Sequence, residues 1–217
     1  MMLEEELTSR FPGLSARVVT IRGVEVKPSD LKLDEFKLEV IRRTKERWTL
    51  DQLREQQIFR AYRDFFWRIG VDPTKIRPAA EALIRRILRS RPIPRINTLV
   101  DAYNAASIDT AVALGAFDID GLAGELLMRE AVEGEEFLGI GMEKPVVLKG
   151  VEAVVSDSEK LIAVYPYRDA EACKITEDTV NVLLMVCGVP NIDGATLDQA
   201  ESVAIDYITK FCGGSEA

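Results

Sequence analysis

The chain has 217 residues, of which 47% are hydrophobic and 29% are charged, and its net charge is −8. This composition is typical of a soluble globular protein that can bury a core, and no apolar run is long enough to span a membrane. The absence of histidine excludes His-based catalytic triads and His metal ligands. Three widely spaced cysteines predict neither a disulfide framework nor a metal site, so we expect a cytoplasmic protein without metal or other cofactor.

The charge is distributed unevenly along the chain. Residues 41–95 carry 15 basic and 6 acidic side chains, a net charge of +9, whereas the remaining residues carry −17. The overall acidity argues against indiscriminate binding of nucleic acid. The asymmetry is nevertheless compatible with a basic face on an acidic body.

The first hundred residues predict one strand followed by helices. Residues 16–26 are rich in β-branched side chains and predict a strand. An amphipathic helix is predicted over residues 33–48, with four candidate core residues: Phe36, Leu38, Val40 and Ile41. Thr49-Leu-Asp-Gln52 forms a capping box for a second helix that ends near Gly70. Its aromatic residues, although interleaved with arginines, are interpreted as core.

A third helix is predicted to begin near Pro78. Its apolar residues recur at helical spacing, and the arginines lie elsewhere on its surface. Together with two arginines that follow the helix they form a cluster of five: Arg85, Arg86, Arg89, Arg91 and Arg95. A solvated helix face is the simplest interpretation. The functional alternative is contact with RNA phosphates, which guanidinium groups bind through paired hydrogen bonds.

The stretch that follows Pro94 contains the most informative polar pattern. Thr98-Leu-Val-Asp101 predicts a capping box and a helix that ends near residue 108. Four polar residues share one face of that helix, namely Asn97, Asp101, Asn104 and Ser107. They can serve only to cap the helix and to satisfy backbone groups, or they can bind a ligand. Gly115 follows this helix. A glycine at this position permits a backbone conformation, or a close approach of another element, that a side chain would block.

The second half of the chain changes to short apolar runs that predict strands. These runs cover residues 125–130, 145–149, 152–156, 160–165 and 180–187. Thr196-Leu-Asp-Gln199 predicts the cap of a last helix through Lys210.

The order of these residues resembles a known family. Asn97-Thr-Leu-Val-Asp-Ala-Tyr-Asn104, followed by Gly115-Ala-Phe-Asp118, is similar to the B3/B4 domain of the phenylalanyl-tRNA synthetase β subunit and to free-standing B3/B4 proteins. The resemblance extends from about Phe11 to Gly214. It implies an α/β (mixed α+β) layered fold with a mixed sheet and with helices concentrated in the first half. We expect a single domain over residues 1–217, with a helical basic segment at about 31–95.

In the synthetase, this domain houses the editing site that hydrolyses tyrosine misattached to the phenylalanine tRNA. The resemblance implies that Asn104 lines an amino-acid pocket, with Tyr103 in place of a threonine and Gly115 in place of a histidine. The loop after Val164 is similar to the family loop that carries the pocket glutamate.

That loop supplies the remaining candidate residues. Arg168 joins Asn104, Tyr103 and Gly115 as a predicted substrate-binding residue. Because the chain lacks histidine, Asp169 or Glu171 would position water for hydrolysis, or the RNA's own hydroxyl would assist.

Two functions are compatible with these residues. The first is a tRNA-related module that binds the aminoacyl end of a tRNA and, as an aminoacyl-tRNA deacylase, hydrolyses a misattached amino acid. The second is a small-molecule binding protein that keeps an amino-acid-sized pocket without an RNA role. A steep loss of RNA affinity with rising salt would distinguish them, because phosphate contacts release counterions.

Overall fold

Six of the seven α-helices precede residue 111 in the computed structural model, which describes residues 1–217. The helices are α1 (Glu5–Arg10), α2 (Leu31–Arg47), α3 (Gln52–Glu55), α4 (Gln57–Arg68), α5 (Ala79–Leu88), α6 (Thr98–Thr110) and α7 (Gly194–Cys212). The strands are β1 (Met2–Leu3), β2 (Ser15–Arg22), β3 (Ala113–Asp118), β4 (Leu127–Glu130), β5 (Glu136–Phe137), β6 (Val146–Val147), β7 (Ala153–Ser156), β8 (Leu161–Val164), β9 (Arg168–Asp169), β10 (Asn181–Gly188) and β11 (Ser215–Glu216). The predicted concentration of helices in the first half is confirmed.

The strands form two main sheets and one small hairpin. The first sheet has the order β1-β4-β7-β8-β9, with β1 parallel to β4 and all other pairs antiparallel. The second sheet is antiparallel, with the order β11-β2-β10-β3, and β5 pairs with β6. The predicted mixed α+β fold is confirmed. The strands are divided between separate sheets, because β10 pairs with the early strand β2 on one side and with β3 on the other.

A buried tyrosine joins α4 to the second sheet. The Tyr62 hydroxyl donates to the Cys187 carbonyl oxygen of β10 at 2.5 Å and accepts from the Ala113 amide of β3 at 3.0 Å. Burial raises the pKa of this hydroxyl, so it remains a donor at neutral pH. Its neighbours Phe65 and Phe66 are also fully buried. The prediction that the aromatic residues of this helix belong to the core is therefore confirmed for these residues, whereas Trp67 is exposed.

Several predicted helix details are wrong. The helix expected from residue 49 to 70 is interrupted at Gln56, whose backbone is extended (ψ 129°). The α6 cap is Asn97, whose side chain accepts from the Val100 amide at 2.9 Å, and the Thr98 hydroxyl instead accepts from a distant amide. Asp193 caps α7 in place of Thr196. In both helices an upstream residue supplies the acceptor instead, namely Asn97 one residue before Thr98 and Asp193 three residues before Thr196.

Candidate functional site

The polar face of α6 is largely occupied by structural contacts. The Asp101 carboxylate accepts from the Lys37 ammonium of α2 at 2.5 Å and from the Ile96 amide at 3.0 Å. The Ser107 hydroxyl donates to the Val112 carbonyl oxygen at 2.6 Å. Asn97 caps the helix. Asn104 differs from these three residues, because its side-chain amide has no hydrogen-bond partner in the protein and faces a cavity.

This cavity has a volume of about 150 Å³. It is enclosed by α6, β3, β10 and the segment that runs from β8 to β9, with the first residue of α5 at its border. The lining residues are Ala79, Tyr103, Asn104, Leu114, Gly115, Ala163, Val164, Tyr165, Pro166, Tyr167, Asp169, Met185 and Cys187. A largely apolar cavity with few polar groups is typical of a small-molecule site.

Asp169 supplies the only carboxylate among the lining residues. Burial raises its pKa to about 7, and the Arg168 guanidinium opposes this shift. The Asp169 carboxylate accepts no hydrogen bond from another group of the protein, although its backbone is held by pairing with Ala163 of β8. A fixed carboxylate without a partner is a group available to a ligand.

The other ionisable groups in the cavity wall are neutral near pH 7. Burial raises the pKa of the Tyr103 hydroxyl, and the nearby Asp169 charge adds to this shift. Burial likewise raises the pKa of the Cys187 thiol. Because the buried thiol is not a thiolate, Cys187 is not an activated nucleophile. The charge of the cavity therefore depends on Asp169 alone.

The structure does not bring Arg168 and Glu171 into this cavity wall. The Arg168 side chain is exposed, and its guanidinium donates to the Ile140 carbonyl oxygen at 3.0 Å. The Glu171 carboxylate pairs with the Lys174 ammonium, which lowers the pKa of Glu171. Of the six residues predicted for the amino-acid site, Tyr103, Asn104, Gly115 and Asp169 therefore surround one cavity.

Most of the predicted arginine cluster lines a second, smaller cleft of about 110 Å³ along α5. The cleft residues are Arg77, Ala82, Arg85, Arg86, Arg89 and Arg91. Arg95 lies elsewhere, because it pairs with Asp34 of α2 at 2.5 Å. Arg85 is neutralised by the buried Glu81 at 2.7 Å. Arg89 and Arg91 are exposed and have no acidic partner, so they present uncompensated positive charge.

Sequence reasoning missed several residues of both sites. Arg77 was not included in the cluster, although it lies two residues before α5 and the same local excess of basic residues includes it. Met185 and Cys187 lie on a predicted strand, and only the pairing of β10 with β3 brings them beside Gly115. No pattern along the chain could have revealed that pairing.

The comparison with known families matches this architecture to a named domain. Residues 61–213 match the family model described as the B3/4 domain, and this match covers more than half of the chain. The protein belongs to the B3/4 domain family, as the resemblance in its sequence predicted.

Curated relatives and a solved structure agree with this assignment. The chain is 31% identical to the phenylalanine–tRNA ligase β subunit of Fusobacterium nucleatum over 113 residues, which are 52% of this chain and 14% of that subunit. It is 34% identical to the same subunit of Geobacter metallireducens over 111 residues, which are 50% of this chain and 14% of that subunit. The chain thus matches about one seventh of the length of these relatives.

The fold is also similar to a crystal structure from Pyrococcus horikoshii, an N-terminal fragment of the phenylalanyl-tRNA synthetase β subunit. The TM-score is 0.56 at 15% sequence identity, and the alignment covers 99% of this chain and 49% of the fragment. At this identity the likeness concerns the fold alone. No helix of the protein has the length and apolar character needed to cross a membrane.

Proposed function

We propose that this protein is a tRNA-related module that binds the aminoacyl end of a tRNA in the cavity beside Asn104. The observation that carries the proposal is the unpartnered pair of polar groups in an otherwise apolar cavity, the Asn104 amide and the Asp169 carboxylate. The family membership supports the proposal, since the relatives are β subunits of an enzyme that ligates phenylalanine to tRNA.

The arginine cleft supports an RNA partner. Ala79, the first residue of α5, borders the cavity, and the cleft arginines follow along the same helix. Ten residues of helix span about 15 Å. With phosphates spaced about 3.4 Å apart along a stacked strand, a few unpaired nucleotides cover this distance. When the aminoacyl group occupies the cavity, the acceptor strand of the same tRNA would therefore lie within reach of Arg89 and Arg91.

The chemistry that we propose for the bound ester is hydrolysis of a misattached amino acid in trans. Asp169 is our candidate for positioning the attacking water, because a carboxylate with a pKa of about 7 can accept a proton near neutral pH. Glu171 is less suited, since its pKa is lowered by the pair with Lys174. The terminal ribose hydroxyl of the RNA can assist. A tRNA partner would place the protein in the cytoplasm, which agrees with its three unpaired cysteines.

The decisive experiment is incubation of the full chain with a panel of mischarged tRNAs, followed by measurement of tRNA binding and of deacylation. We expect tRNA binding that weakens as the salt concentration rises, and release of one amino acid from its tRNA. Asn104→Ala should reduce both the affinity for the aminoacyl-tRNA and the rate of this release. Asn181→Ala, a strand substitution outside the cavity wall, is the matched control. Wild-type protein that neither binds nor deacylates any tRNA would contradict the proposal and favour a small-molecule binding protein.

A further inference from the structure

The Asp169 carboxylate lies closer to the backbone of Gly115 than it would ordinarily lie to a residue with a side chain. A methyl group at residue 115 would lie 3.3 Å from each of the two carboxylate oxygens. This is closer than ordinary van der Waals contact, so even a methyl group at this position would require the carboxylate to shift by a few tenths of an ångström. The backbone φ of Gly115 is not in the left-handed region, and the close approach is therefore the reason for the glycine.

No group of the protein forms an ion pair or a hydrogen bond with the Asp169 carboxylate, and the Arg168 guanidinium compensates its charge only in part. The only adjacent cation, Arg168, donates to the Ile140 carbonyl oxygen and lies outside the cavity wall. Tyr103 and Cys187 carry neutral groups, and the remaining lining residues are uncharged. Burying a carboxylate without a partner is costly, and the cost is removed when a cation that can donate hydrogen bonds binds beside it.

A hydroxyl donor would satisfy the geometry of the carboxylate but would leave its charge uncompensated. An ammonium group supplies both the charge and up to three N–H donors, and hydrogen bonds between ionised partners are the stronger ones. The cavity volume of about 150 Å³ is sufficient for a small ligand end that carries an ammonium group.

We propose that the cavity recognises a primary ammonium group of an amino acid or amino-acid ester, with the Asp169 carboxylate as its anionic partner. This inference rests on the proposed function, in that the same cavity takes the aminoacyl group. One carboxylate oxygen can bind the ammonium while the other accepts a hydrogen bond from the water proposed above. Because the ammonium lowers the pKa of the carboxylate, Asp169 then orients this water rather than taking its proton, and the terminal ribose hydroxyl assists. Asn104 is then left to bind the carbonyl end of the ligand.

The test is calorimetric titration of the full chain at pH 7.5 with three amino-acid amides that differ in which ammonium group they carry. Alaninamide carries only an α-ammonium, Nα-acetyl-lysinamide carries only a side-chain ammonium, and N-acetyl-alaninamide carries neither. We expect one of the first two probes to bind and thereby to identify the source of the ammonium. The third should bind about tenfold to a hundredfold more weakly, as for loss of one charge-assisted hydrogen bond.

Two variants make the result specific to Asp169. Asp169→Asn keeps the size of the side chain and removes its charge, so it should weaken the binding amide by about the same factor as N-acetylation. Gly115→Ala keeps the Asp169 charge but shifts the carboxylate, so we expect a smaller loss of affinity for the amide than with Asp169→Asn. Thermal unfolding confirms that each variant is folded.

Two results would overturn the inference: equal binding of the acetylated and free amides, or no binding by either ammonium probe. Neither result would contradict the proposed function, because that function is tested separately by measuring tRNA binding and deacylation. Conversely, ammonium-dependent binding of the amides by a protein that ignores tRNA would preserve the inference for a free amino-acid ligand and would refute the RNA role.

Discussion

The ammonium of Lys37 and the carboxylate of Asp101 form an ion pair at 2.5 Å, with only 10% and 5% of the two side chains exposed. The pair joins α2 to α6, the helix that carries Asn104. Since Asp101 also accepts from the Ile96 amide, it fixes the segment that leads into α6. Asp101, the second polar residue of the α6 pattern, thus has a structural role, and its loss should affect stability before it affects binding.

Lys37→Met should destabilise the protein strongly. The substitution leaves the Asp101 charge buried without its partner, and breaking one side of a buried pair typically costs about 3–5 kcal/mol. Chemical denaturation measures the change. Arg42→Gln is the control, because Arg42 is exposed and its pairs with Glu39 and Glu46 are screened by solvent and contribute little to stability. Equal effects of both substitutions would show that the buried pair has no special role.

Tyr62→Phe should also be destabilising, although it removes a single oxygen atom. The hydroxyl connects the Cys187 carbonyl oxygen and the Ala113 amide, and both groups would lose their partner. An unsatisfied buried polar group costs about 1–3 kcal/mol, so we expect a loss in this range or somewhat above it. The midpoint and slope of urea unfolding distinguish this loss from a change in the unfolded state. A variant as stable as wild type would mean that water replaces the hydroxyl.

Asp169 should make the protein less stable as the pH rises. Its pKa is about 7 when folded, compared with an ordinary value of 3.8. Between these values the folded state holds a proton that the unfolded state has lost, so the stability from this group falls as the pH rises from about 4 to 7. Asp169→Asn removes the dependence. The variant should gain on the order of 1–3 kcal/mol relative to wild type between pH 5 and pH 8.

The groups that face Asp169 do not reverse this expectation. The Arg168 guanidinium lowers the pKa of Asp169, while Tyr103 and Cys187 stay neutral because burial raises their own pKa values. Cys173, whose pKa burial raises to about 12, is neutral as well. Parallel denaturation curves of wild type and Asp169→Asn at each pH measure the difference directly. Curves that stay a constant distance apart would exclude titration of Asp169 in this range.

Arg89 and Arg91 should contribute to the salt dependence of tRNA binding. Each phosphate contact adds about 0.7 to 0.9 to the slope of log K against log salt concentration, so Arg89→Gln and Arg91→Gln should each lower the slope by about this amount. Arg42→Gln should not, because its charge is already paired with two glutamates. An unchanged slope in the double variant would place the RNA elsewhere on the surface.

The sequence carried enough information for most of the elements. Periodicity and caps located α2, α5, α6 and α7, and β-branched runs located β7, β8 and β10. The predicted core residue Leu38 is instead 66% exposed, because the buried face of α2 includes Lys37. A lysine that is buried by pairing with a residue 64 positions away cannot be recognised from local periodicity.

The candidate site was predictable to a smaller extent. Asn104, Gly115 and the loop after Val164 are far apart along the chain, and only the fold makes them neighbours. Their proximity was therefore predicted from the resemblance to a family and not from any local pattern. It could not tell which acid of Arg168-Asp-Ala-Glu171 faces the cavity, since that depends on the short pairing of β9 with β8. Nor could the local charge excess show that Arg85 and Arg95 are already paired with Glu81 and Asp34.

Helix α5 borders both candidate sites, since its first residue lies in the cavity wall and the arginine cleft runs along its length. Ala79 forms part of the cavity wall, and Arg89 follows the last turn beside the arginine cleft. If a ligand at one site displaces this helix, occupancy of the two sites must be thermodynamically linked, and each ligand then changes the affinity for the other by the same factor.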